Sequence, residues 1–123
     1  PQSIETFARS RLRWHEVSAA NHAEMLGWYR ALLALRAKHP QLRDGNHRAA
    51  RVTFDEDQGH FLMVRGTIAI ASNLSTVSTT MRIPGADRIL LRSEPGIEIH
   101  SDVVTLPSES IAFIETSLES PDA

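Results

Sequence analysis

Two hydrophobic periods divide the chain. In HAEMLGWYRALLALRAKHP, residues 22 to 40, apolar side chains recur at Met25, Trp28, Tyr29, Leu32, Leu33 and Leu35, while Glu24, Arg30, Arg36 and Lys38 fall mostly on the other side. Spacing of three and four predicts an amphipathic helix. Asn21 offers a side-chain oxygen to the free N–H groups of the first turn and Glu24 can reach back, so the helix is expected to start at about His22. Arg36, Lys38 and His39 suit the negative end of its dipole, and Pro40 stops it. Residues 1 to 20 show no sustained period, although Phe7, Leu12 and Trp14 need apolar surroundings. An irregular segment packed on a surface is expected there.

Beyond the turn-rich connector LRDGNHR, hinged at Asp44-Gly45, the period changes to two. Val52 and Phe54 alternate before the polar turn DEDQG and the run HFLMVRG, which predicts a hairpin over residues 50 to 65. TIAIASNLS is the next strand, with Ile68 and Ile70 on one face. Further strands are expected at STTMRI, RILLRS, IEIH with VVTLP, and SIAFIE, punctuated by Pro84-Gly85, Pro95-Gly96 and Leu106-Pro107. Six or seven short strands between turn signals predict an antiparallel sandwich of the Greek-key type. The fold class is thus mainly β with an N-terminal α-helix: residues 1–45 hold an irregular segment and a helix, 46–118 a β-sandwich, and 119–123 a polar frayed tail.

Composition changes this picture little. The chain has 123 residues, 41% hydrophobic and 23% charged, with a net charge of −2. Such values fit an ordinary globular domain and make neither nucleic acid nor an anionic membrane an expected partner. No apolar run approaches the roughly 20 residues of a membrane-spanning helix. Cysteine is absent, which rules out disulfides and thiolate metal sites and fits a cytoplasmic location. Lys38 is the only lysine.

Candidate chemistry is sparse. His15, His22, His39, His47, His60 and His100 show no H-E-x-x-H arrangement or clustered metal spacing. Asp55, Glu56 and Asp57 lack the ligand spacing of an EF-hand loop and read as a solvated hairpin tip. His100, Ser101 and Asp102 supply three triad residue types, yet strand neighbours point to opposite faces and no nucleophile elbow is present. Neither phosphate-binding glycine loop occurs. Trp28 and Tyr29 read as packing groups of the helix, and Phe54, Phe61 and Phe113 stand at core spacing in strands. Trp14 is left as a possible exposed platform for a sugar ring. No catalytic, cofactor-binding or metal-ligating residue is assigned, and no cofactor is expected.

The segment TFARSRLRWHE at 6 to 16, followed by HAEMLGWYRALLALRAKHPQLRDG at 22 to 45, resembles the end of the barrel in family 13 glycoside hydrolases of the α-amylase type. Within that family the likeness is closest to the malto-oligosyltrehalose trehalohydrolases, through Phe7, Ser10, Leu12, Trp14 and Glu16, with branching enzymes as the alternative relatives. Arg13 stands where the trehalohydrolase pattern has an acidic residue. The strand segments DEDQGHFLMVRG, IAIASNLS and LPSESIAFIE resemble the terminal β domain. The resemblance implies that residues 1–45 are the last loop and outer helix of a (β/α)8 barrel, and that the chain is the end of a longer enzyme. The family's nucleophile Asp, acid/base Glu and stabilising Asp belong to earlier barrel strands and match no position here. Its implied partner is the rest of that barrel, its implied role non-catalytic. Two alternatives remain: a stand-alone sandwich binding α-glucans or a protein, and self-association through the apolar helix face.

Overall fold

A computed structural model describes residues 3–117. Packing separates two units, one ending at Ala31 and one beginning at Leu32.

In the first unit, residues expected to be irregular contain a short helix, α1 (Ile4–Ser10). Ser3 caps it, its hydroxyl accepting from the Thr6 N–H at 3.2 Å. A 3₁₀ turn follows at Trp14–Ser18. The long helix α2 runs over Ala20–Lys38. It starts two residues earlier than the Asn21 cap implied. Extended Ala19 takes the capping position, its carbonyl accepting from the Ala23 N–H at 2.8 Å, and Asn21 falls in the first turn. At the other end Pro40 forces His39 out of the helical region, to φ −112° and ψ 103°, and a 3₁₀ turn begins at Pro40.

Among its described residues the second unit holds eight strands: β1 (Ala50–Asp55), β2 (His60–Arg65), β3 (Ile68–Asn73), β4 (Thr79–Arg82), β5 (Ala86–Arg92), β6 (Glu98–His100), β7 (Val103–Leu106) and β8 (Ser110–Thr116). They form two antiparallel sheets, ordered β1-β2-β3-β8-β5 and β4-β7-β6. The hairpin read from residues 50 to 65 is present, with Val52 opposite Met63 and Phe54 opposite Phe61. Gly59 closes it at φ +67°, and Asp55 Oδ1 accepts from the Gln58 N–H at 3.0 Å.

Between the sheets lies a core of Ala69, Ala71, Ile83, Ile97, Val104, Leu106, Ala112 and Ile114, flanked by Leu62, Val64, Met81, Ile89 and Ile99. β8 fills it by alternation, with Ser110, Ala112, Ile114 and Thr116 buried and the residues between them half-buried. Small Ala69, Ala71 and Ala112 let the facing Val104 and Leu106 fill the space. One buried polar group ties the loops at this end. Asn73, fully buried, donates from Nδ2 to the carbonyls of Val77 (2.7 Å), Leu106 (3.2 Å) and Pro107 (2.8 Å), and its Oδ1 accepts from the Ser75 N–H and hydroxyl. At the opposite side Asp102 Oδ1 accepts from the Gly85 N–H at 3.0 Å, joining the β4–β5 turn to the β6–β7 turn.

The core placement overturns one reading: Phe54, Phe61 and Phe113 lie outside the inter-sheet core. Ile68 and Ile70 share a face as expected, the outer face of the five-stranded sheet, where Ile68 is fully buried. Alternation shows that two faces differ. It does not say which face the second sheet covers. The expected tail at 119–123 falls outside the described residues.

Candidate functional site

Each side chain that sequence reading weighed for chemistry can be placed. His100 ends β6, and Ser101 and Asp102 form the turn to β7, where Ser101 has φ +55°. His100 Nε2 meets Glu98 at 3.3 Å on an exposed surface, while Asp102 is engaged by Gly85. They make a hairpin turn with no charge relay. Asp55, Glu56 and Asp57 occupy the exposed β1–β2 tip. Among the described residues no three His, Asp or Glu side chains gather closely enough to hold a metal ion. His39 is half-buried between α2 and the following turn, and its Nε2 finds no partner among the described residues.

Carboxylates serve structure where they are engaged. Asp44 receives Arg65 Nη2, which also donates to the Asn46 carbonyl at 2.9 Å, and this pins the connector hinge. Gly45 takes φ +72° there, the left-handed conformation expected of its Asp-Gly pair. Glu115 pairs with Arg88 at 2.6 Å, and Glu16 with Arg13 at 3.5 Å. The buried polar side chains are Ser72, Asn73, Ser110 and Thr116, so among the described residues no carboxylate is buried. Glycosidic cleavage needs a carboxylic acid kept protonated by its surroundings, facing a second carboxylate across the bond.

Among the described residues each unit carries a concavity. The first, about 480 Å³, is lined by Leu12, Trp14, Val17 and Leu26, with Arg13, Glu16, His22 and Arg30 as its polar groups. Trp14 is 76% exposed at its mouth. The second, about 240 Å³, lies at the open side of the sandwich between the β1–β2 hairpin and β4, lined by Phe54, Asp55, His60, Leu62, Met81 and Arg82.

The apolar surface is more informative than either cavity. In α2, Trp28 and Leu32 are half-buried and Leu35 is buried, but the row Met25, Tyr29 and Leu33 is bare, so Tyr29 is not the packing group expected of it. Ile4, Phe7, Leu12, Trp14 and Val17 are also exposed. From Ser3 to Ala31 no side chain is buried. A segment this apolar with no buried side chain of its own exposes a patch of the kind that marks an interaction surface.

The fold therefore defines a class: an antiparallel two-sheet β module led by an apolar helix that has no core of its own. The sequences of known proteins say which relatives it has. Over 94% of its length the chain is 33% identical to a malto-oligosyltrehalose trehalohydrolase of Brevibacterium helvolum, and over 93% it is 33% identical to one of Rhizobium sp. (strain M-11). A malto-oligosyltrehalose trehalohydrolase of Mycobacterium tuberculosis is 36% identical over 69% of the chain. The chain spans about a fifth of the length of these relatives, 20%, 19% and 15% respectively. It resembles the C-terminal part of a family 13 trehalohydrolase. No protein-family model matches it. Among the described residues no helix is long and apolar enough to cross a membrane.

Proposed function

We propose that this chain is the non-catalytic C-terminal portion of a trehalohydrolase acting in the cytoplasm in trehalose biosynthesis. The whole enzyme adds water across the α-1,4 bond beside the terminal trehalose unit of maltooligosyltrehalose, releasing trehalose and a shortened maltooligosaccharide. These residues stabilise the catalytic barrel, and the bond-breaking carboxylates belong to the part of the enzyme that precedes them.

One observation carries this reading: the likeness covers 94% of the chain but 20% of its relative, and the leading residues 3–31 expose apolar side chains with none buried. A barrel's outer helix is apolar on its inner side and loses its core when taken alone. Incubating the 123-residue chain with maltooligosyltrehalose should yield no trehalose. Release of trehalose by the chain alone would sink the non-catalytic assignment.

Trp14 supports a second reading, binding of α-glucan. An indole 76% exposed beside a cavity with two arginines and a glutamate has the aromatic face and polar groups that sugar rings use. Titration with maltooligosaccharides while following tryptophan fluorescence tests it, and the absence of any saturable change counts against it.

A further inference from the structure

We propose that the free edge of β4, with the groove beside it, is a strand-addition site that takes one extended peptide segment of a partner protein, apolar toward the groove and acidic beside Arg82. The site is independent of whether a longer enzyme releases trehalose.

Hydrogen-bond phase defines the edge. The Ile83 N–H donates to the Asp102 carbonyl at 2.7 Å, which extends the pairing of Met81 with Val104 and of Arg82 with Val103. In an antiparallel ladder every second residue turns its N–H and C=O to the same neighbour. Ile83, Met81 and Thr79 therefore turn theirs to β7, and Thr80 and Arg82 turn theirs away. Among the described residues no strand lies on that side of β4. Its outward N–H and C=O groups alternate at the spacing an added strand needs.

The space beside that edge is limited by the unequal width of the sheets, five strands against three. β7 packs on β8 and β6 on β5, so the excess falls on the β4 side, where β2 and β1 continue past it. The inward side chains Thr53, Asp55, His60 and Leu62 of that overhang, with Met81 and Arg82 of β4, line the cavity of about 240 Å³. Two strands at ordinary spacing are about 10 Å across, which admits a single added strand above β2. A second copy pairing its own β4 there does not fit. Antiparallel neighbours are related by a twofold axis normal to the sheet, so the other copy's large sheet would enter the space that β1 and β2 fill.

Chemistry specifies the occupant. An extended segment sends alternate side chains to opposite faces. Those turned inward meet half-buried Leu62 and Met81, which favours apolar residues. Those turned outward stand beside Thr80 and Arg82, both exposed. Arg82 has no ion pair among the described residues, and an acidic side chain directly opposite supplies one. A row of backbone donors and acceptors matches a peptide, whose own groups repeat at the same interval, better than a sugar chain.

The test is titration of the 123-residue chain with the acetylated, amidated peptide Thr-Val-Glu-Val-Thr-Val, followed by amide NMR. Saturable shifts should fall on Thr80, Arg82 and Leu62 and spare Glu98, and amide exchange at Thr80 and Arg82 should slow about tenfold. Arg82→Glu, an exposed substitution that leaves the circular dichroism as before, should weaken binding about fivefold or more, because like charges then stand opposite. Replacing the peptide's glutamate by lysine should restore binding to that variant. N-methylation of the peptide at its glutamate and the following threonine removes the donors that face β4 and should abolish binding. The site is overturned by the absence of saturable shifts at millimolar peptide, or by equal binding of the N-methylated peptide. Maltotetraose shifting Thr80 and Arg82 as the peptide should, or a dimer in light scattering that protects both amides without peptide, overturns it as well.

Discussion

Asn73 is the side chain on which the loops at one end of the sandwich depend. Replacing the fully buried Asn73 by Ala deprives three carbonyls of a common donor and Ser75 of its acceptor. Such a loss costs about 2 to 4 kcal/mol, because a buried group deprived of its partner keeps its full desolvation penalty. Urea denaturation of Asn73→Ala should show it as a lower midpoint with little change in slope. Gly59→Ala should also destabilise, by about 1 to 3 kcal/mol: at φ +67° an added Cβ would stand 3.0 Å from the Ser75 backbone nitrogen. Arg88→Ala breaks an ion pair whose arginine side chain is 62% exposed, so the same measurement should register less than about 1 kcal/mol. Those three variants rank burial above charge as what holds the sandwich.

At the scale of the element, Ile114→Ala on β8 removes a fully buried side chain from between the sheets and should cost about 3 kcal/mol. Met25→Lys together with Tyr29→Lys on α2 should leave the unfolding midpoint of the isolated chain within about 0.5 kcal/mol, since both side chains are exposed there. On the proposed reading, the same pair should lower the melting temperature of a full-length trehalohydrolase, because a charge would then face its barrel. Element identity was legible where a period was long or a turn was chemically marked. α2, the β1–β2 hairpin and the strand of residues 68 to 73 follow from spacing, Asp-Gly, Gln-Gly and proline. α1 was not, because IETFARS is too short to display a helical repeat and its start rests on one capping serine. Phe54 and Phe113 were misplaced for a different reason: a strand apolar on both faces contains no information about which face meets its own second sheet.

For the molecule as a whole, the exposed apolar side chains of α2 and its leading segment form a patch of the kind that marks an interaction surface. Trehalose release from maltooligosyltrehalose, measured side by side for the 123-residue chain and for the full-length product of its reading frame, tests the proposed non-catalytic role most directly. The account predicts release by the full-length product and none by the chain. Release by the chain alone, or a full-length product that folds and releases none, would contradict it.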